Sequence, residues 1–190
     1  MNLPILLRWA MGLMGLTAIA FVIFLRVSPG QSDNPIAALT ILEQQIHREY
    51  PTVNQVSPTT AQEWLRHDSP PPLVLDIREP QEYQVSHLPQ AINVPPATPV
   101  KRVMEQYLSM RQPGQKILVY CSVGVRSSRY AQQLKGAGIE NIYNLQGSIF
   151  AWANQGFPVQ RQGKTVQKVH GYDAEWEKYL LPQYRSPLDE

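Results

Sequence analysis

The sequence predicts an α/β fold: an open, mainly parallel sheet flanked by helices. Three observations lead there. From about residue 53 to 156, short apolar runs of four or five residues alternate with longer runs of helical character. Proline, glycine and small polar residues separate them, as in "SPPP" at 69–72 and "VPPATP" at 94–99. One run, "KILVY" at 116–120, has no internal polar residue, which suits a strand covered on both faces.

The elements follow in chain order. "WAMGLMGLTAIAFVIFL", 9–25, places 17 uncharged residues between Arg8 and Arg26, and residues 3–7 add apolar length. A membrane-crossing helix takes about 20 such residues, and an arginine near its end can snorkel to the surface. The segment 1–26 is therefore expected to be a single-pass transmembrane anchor, touching the membrane through residues 3–25. "AIA" at 18–20 fits a signal-peptide cleavage site instead, but "FVIFL" carries the apolar run past it and favours an uncleaved anchor. The charges flanking the run lean only slightly toward an internal N-terminus.

Residues 27–56 connect the anchor to the main domain. "VSPGQSDNP", 27–35, is a linker. Asp33 or Asn34 followed by Pro35 starts a helix, with a capping residue and then proline at the first helical position. Ile36, Leu39, Leu42 and Ile46 recur at helical spacing until Tyr50-Pro51 stops the run. "VNQV", 53–56, is a short strand. The main domain then runs from 57 to 160. "SPTTAQEWLRH", 57–67, is a helix with a serine cap and "LVLDI", 73–77, a buried strand. "PQEYQVSHL", 80–88, is a short helix or turn, "AINV", 91–94, a strand, and "PVKRVMEQYLSM", 99–110, a helix. After the strand at 116–120 come a helix at 127–138, a strand "NIYNL" at 141–145 and a helix "SIFAWANQG" at 148–156, on which Trp152 reads as core. The extension 161–190 contains "YDAEWEKYLL", whose spacing predicts a short helix with Trp176 and Leu180 on one face; it is expected to pack on the domain or cover its surface, and no chemistry is read from it.

Charge narrows the partners. The chain holds 17 Lys and Arg against 15 Asp and Glu, a net +2. Arg8 and Arg26 flank the apolar run and every acid lies beyond them, so residues 27–190 are neutral. Without a basic stripe, nucleic acid is not an expected partner.

The 190 residues include one cysteine, Cys121. An intrachain disulfide and a thiolate zinc cluster are excluded. Two readings remain: a small buried hydrophobe, or a nucleophile. Cys121 stands at the carboxyl end of the most buried-looking strand, where α/β sheets bind ligands. Ser122, Val123, Gly124, Val125 and Arg126 follow. Small residues and a glycine let the backbone curl so that N–H groups converge on one point, an anion-binding nest. A helix beginning near Ser127 adds its positive dipole end, and Arg126 adds a fixed charge. All three favour a thiolate over a thiol. An inert buried cysteine would sit among apolar neighbours, without the glycine and arginine.

The segment from about 57 to 160 resembles the rhodanese domain. The resemblance rests on "VSPTTAQEWL" (56–65), "LVLDIREPQEYQVSHLPQAINVP" (73–95) and "ILVYCSVGVRSSRYAQQLKGAGIENIYNLQGSIFAWANQGFPV" (117–159), matching in order, spacing and chemistry. It implies a five-stranded parallel sheet flanked by helices. It also implies a thiosulfate-sulfurtransferase-like enzyme whose cysteine takes a sulfane sulfur as a persulfide and passes it to a thiol or cyanide-type acceptor, from a small-molecule or protein donor. No cofactor or metal is implied. Carried over, Cys121 is the nucleophile, Ser122 to Arg126 form the substrate-binding loop with Arg126 engaging an anionic donor, and Ser127 supports it. Asp76 and Arg78 fit the family's Asp-x-Arg, and a loop-bracing ion pair is the favoured reading for them, with each other or with Glu79 or Glu82. His87 fits the family's Gly-His-Ile/Leu-Pro turn, with Ser86 in place of glycine, and reads as a structural histidine bonded to backbone. Ser148 stands where the family often has a second glycine.

Four residues separate Cys121 from Arg126. Cysteine phosphatases on the same fold use five, making room for tetrahedral phosphate, so a phosphatase is the lesser enzymatic alternative. A rhodanese-like module that binds partners or senses redox or sulfur state without turnover is the other. Many thiosulfate users carry an extra basic residue inside the loop. This loop has none, which leaves polysulfide, glutathione persulfide or a protein persulfide open as donors.

Overall fold

The computed structural model describes residues 34–109 and 111–187. The expected anchor at 1–26 and most of the linker lie outside these residues. Among the described residues, no helix is long and apolar enough to cross a membrane.

Asn34 caps α1 (Pro35–Glu49) by accepting the Ile36 N–H, and proline fills the first helical position. Leu39, Leu42 and Ile46 are buried as the spacing predicts, but Ile36 in the first turn is exposed and Ala38 takes its place on the buried face. β1 (Asn54–Val56) leads into α2 (Pro58–His67), where Ser57 Oγ accepts the Thr60 N–H. β2 (Leu73–Asp76), α3 (Pro80–Val85) and β3 (Ile92–Asn93) come next. The helix expected over 99–110 is α4 (Val100–Val103) running into a π-helical turn, Met104–Leu108. β4 (Ile117–Tyr120), α5 (Val125–Gly136), β5 (Ile142–Leu145) and α6 (Ser148–Asn154) complete the domain.

The five strands form one all-parallel sheet in the order β1-β5-β4-β2-β3. β4 is central and buried along its length, as its unbroken apolar sequence requires. Leu75 of β2 pairs with Val119 of β4, and Val119 with Asn144 of β5, so the carboxyl ends of the three strands open on one edge of the sheet. Trp152 is buried in the core, as expected.

The sequence reading lacks one element, a hairpin of β6 (Val159–Arg161) and β7 (Lys164–Val166). Its turn residues Gln162 (φ 50°) and Gly163 (φ 75°) are both left-handed, as a two-residue I′ turn requires. Glutamine in place of the usual Asn or Asp hides that signal. The hairpin is tied to the domain where Gln160 and His87 exchange backbone hydrogen bonds of 2.8 and 2.9 Å. The stretch 171–180 is not an α-helix; it holds a single 3-10 turn at Glu177–Tyr179. Asp173 explains why, because its carbonyl and carboxylate both accept the Trp176 N–H and close a local turn. The C-terminal segment is nonetheless fixed. Leu180 is fully buried, Asn154 clamps the Tyr179 carbonyl and the Leu181 N–H, and Val169 bridges to Arg185.

Candidate active site

Cys121 follows β4 directly, and its side chain is 1% exposed. The helix after it starts at Val125, two residues earlier than the sequence predicts. Gly124 is the reason: at φ 115° it turns the chain sharply and becomes the N-cap of α5. Val125 and Arg126 therefore sit in the first helical turn, and the loop proper is Ser122–Gly124. The Gly124 N–H donates to Cys121 Sγ at 3.1 Å. Behind the loop, the first N–H groups of α6 hold it in place: Ile149 donates to the Cys121 carbonyl at 3.2 Å and Phe150 to the Ser122 carbonyl at 3.1 Å. Ser148 has φ 53°, a conformation that explains a glycine preference at this position. Its hydroxyl accepts the Cys121 N–H at 3.1 Å and donates to the Leu145 carbonyl, so the serine adds a brace that glycine lacks.

Arg126 does not stand free for a donor. Its Nη1 and Nη2 donate to the two carboxylate oxygens of Glu82 at 2.7 and 2.8 Å, and Nη2 also donates to Ser122 Oγ at 2.9 Å. Ser122 Oγ in turn donates to Glu82 at 2.8 Å. Glu82, buried in α3, thus organises both ends of the loop and neutralises its cation.

Asp76 and Arg78 pair with each other, the favoured of their expected roles. Arg78 Nη2 lies 2.6 Å from Asp76, and both side chains are fully buried. Arg78 also donates to the Ser86 carbonyl, and Tyr120 donates to Asp76 at 2.6 Å while accepting the Leu88 N–H. This network fastens the end of β2 to the 86–88 turn and to β4. His87 belongs to that turn: its Nδ1 meets the Leu88 carbonyl at 3.0 Å and its ring stacks on Tyr83 with centroids 4.1 Å apart. The contact to backbone is the kind expected of it. Ser127, also fully buried, donates to the Gly124 carbonyl and closes the loop from the helix side.

The C-terminal segment, in which the sequence shows no chemistry, supplies a wall of the site. A cavity of about 130 Å³ opens over the cysteine, lined by Cys121, Ser122, Val123, Val125, Arg126, Tyr172 and Trp176. The Arg126 guanidinium lies under the Tyr172 ring, 4.7 Å from its centroid. Among the described residues, no cluster of three or more His, Cys, Asp or Glu side chains could hold a metal ion.

Electrostatics set the state of the sulfur. Burial pushes the Cys121 thiol up. The Arg126 charge, the Ser127 hydroxyl and the backbone N–H groups of Ser127 and Gly124 outweigh it, and the net direction is down. Iodoacetamide alkylation followed against pH is therefore expected to show an inflection below that of a free thiol, about 8.5. An inflection at or above that value would contradict the geometry.

The sequence model of the rhodanese-like domain family matches residues 57–155. tRNA uridine(34) hydroxylase of Sodalis glossinidius is 32% identical over 103 residues, which are 51% of this chain and 29% of that protein. An uncharacterized protein of Synechocystis is 31% identical over 103 residues, covering 54% of each chain. The chain thus spans about half or less of these curated relatives. Among solved structures, a Bacillus halodurans protein superposes with a TM-score of 0.55 at 16% identity, over 72% of this chain and 97% of that one. Thiosulfate sulfurtransferase from Pseudomonas aeruginosa superposes with a TM-score of 0.54 at 24% identity, over 77% of this chain and 26% of that one. At these identities the superpositions speak for the fold alone.

Proposed function

The chain belongs to the rhodanese-like domain family, and from that premise we propose that it is a sulfurtransferase with Cys121 as the sulfur carrier. One observation carries the reading: the buried sulfur accepts the Gly124 N–H at the positive end of α5, in surroundings that lower its proton affinity. In the first step the thiolate attacks the terminal sulfur of a donor. A new S–S bond forms, the donor's bond to that sulfur breaks, and the electron pair leaves with the remainder of the donor. The persulfide on Cys121 then gives its outer sulfur to a thiol or cyanide-type nucleophile, and the Cys121 thiolate is restored.

The phosphatase alternative loses support twice. The Cys121-to-Arg126 loop is short, and the fork of Arg126 that would grip phosphate is occupied by Glu82. The tRNA named in the hydroxylase relatives is not carried over, because the match covers 29% of their length and residues 27–190 are charge-neutral. The apolar run at 9–25 supports a domain that works at a membrane surface.

Mass spectrometry of the full-length protein, incubated with thiosulfate, glutathione persulfide and polysulfide, tests the proposal. One added sulfur on Cys121, released by cyanide, is the expected result, and the protein should resist carbonate extraction from membranes. Hydrolysis of an aryl phosphate through Cys121 with no persulfide from any donor overturns the reading. No reaction of either kind leaves the binding or sensing module in its place.

A further inference from the structure

Resting on the sulfur-transfer reading, we propose that the C-terminal segment makes this site selective for sulfane-sulfur donors with one apolar or aromatic group and at most a single negative charge, with Tyr172 and Trp176 as the specificity-determining residues.

Charge is the first support. The cation lining the cavity, Arg126, is paired with Glu82, and the nearby Arg78 is paired with Asp76. With Cys121 as thiolate, the site carries a negative charge overall. A dianion such as thiosulfate enters it against repulsion that a monoanion or neutral donor meets less or not at all.

The lining is the second. Val123, Val125, Tyr172 and Trp176 face the space above the sulfur. Its volume of about 130 Å³ is close to the ~150 Å³ of an apolar cavity that holds benzene. The site offers an apolar slot for one ring or a short alkyl chain beside the reacting sulfur.

Third, the wall is held in place by construction. Tyr172 adopts φ 72°, a conformation that a bulky side chain rarely takes. Its N–H is held at 2.9 Å by Nδ1 of His170, itself 7% exposed, and burial disfavours the protonation of His170 that would release it. The turn closed by Asp173 sets Trp176 beside it. Tyr172 is 44% exposed, and what lays its ring face over Arg126 is the His170 contact to its backbone together with the stacking on the guanidinium.

Benzenethiosulfonate is the donor class in its simplest form. The Cys121 thiolate attacks its terminal sulfur, the new S–S bond forms, the bond between that sulfur and the sulfonyl sulfur breaks, and benzenesulfinate leaves with the electron pair. Methanethiosulfonate has the same charge and leaving chemistry without the ring, and thiosulfate replaces the organic group by an oxyanion.

The experiment measures kcat/KM of the full-length protein for these three donors, each normalised to its reaction with a small free thiol. The benzene compound is expected to exceed the methane compound by about tenfold, and the methane compound to exceed thiosulfate. Tyr172→Ala and Trp176→Ala should each bring the benzene-to-methane ratio down several-fold, and Trp176→Leu should recover part of it. If Cys121 is persulfidated but the normalised wild-type ratio is near one, or the ratio is the same in the alanine variants, the selectivity proposal falls while sulfur transfer stands. If none of the three loads Cys121 while glutathione persulfide or polysulfide does, the selectivity proposal alone falls; if no donor of any kind loads it, both fall together.

Discussion

A Cys121→Ser protein is expected to fold like its parent and to load no sulfur from any donor. The chain has no second cysteine to take over. Serine preserves the shape of the side chain, and its oxygen can accept the Gly124 N–H that now meets Sγ at 3.1 Å. Oxygen cannot serve as the carrier, because the transferred atom must rest in a bond that a thiolate acceptor can cleave, which S–S provides. Loss of a covalent nucleophile costs at least about three powers of ten in turnover. The check pairs turnover with intact mass after donor treatment. A mass gain of one sulfur on the serine protein, or turnover near the parent rate, would remove Cys121 from the mechanism.

Glu82→Gln is expected to lower stability by about 3 kcal/mol at neutral pH, the scale of a broken buried ion pair. Glu82 is 1% exposed and accepts from both Arg126 nitrogens, from Ser122 Oγ and from the Glu79 N–H. Glutamine fills the same space but turns one acceptor into a donor facing a guanidinium. Burial raises the Glu82 pKa, yet the hydrogen bonds and charge of Arg126 and the charge of Arg78 bring it below the ordinary 4.5. A depressed carboxyl stabilises the folded state above its unfolded pKa, and that contribution disappears as pH falls through the folded value. The stability gap between parent and variant should therefore be full at pH 7 and close under acid. The same substitution leaves Arg126 uncompensated beside the sulfur, so the alkylation inflection of Cys121 should move further down. Denaturant melts at neutral and acid pH, with the alkylation profile, test both halves. Equal stability at pH 7, or an inflection that moves up, contradicts the arrangement.

These two residues also show what the sequence reveals and what it hides. Cys121 is legible because its signals are local: an apolar strand, a glycine and an arginine within six residues. The five strands are legible for the same reason, each carrying its own apolar pattern. Asp76 and Arg78 pair across one intervening residue and are legible too. The Glu82–Arg126 pair spans 44 positions. Glu79 and Glu82 are both eligible acids, Arg78 and Arg126 both eligible cations, and only the placement of α3 against α5 chooses between them. Tyr172 and Trp176 are hidden more deeply. The helical spacing of Trp176 and Leu180 points to a helix that does not form, and the position of the two aromatics over the sulfur depends on a left-handed residue, a buried histidine and a clamp from Asn154. Ser148 lies between these cases: its departure from glycine is visible in the sequence, but its brace on Cys121 is visible only in the structure.

The strand order has a consequence for biogenesis. β1 is made first but pairs with β5, the last strand of the sheet, and the Cys121 loop is braced by backbone groups of α6. On a ribosome the thiol therefore emerges well before the parts that shelter it. Contacts so distant along the chain form slowly, and synthesis advances only about 5–20 residues per second. For the seconds between the emergence of residue 121 and the docking of residue 176, the nascent chain presents an unshielded cysteine to whatever oxidants and electrophiles surround it.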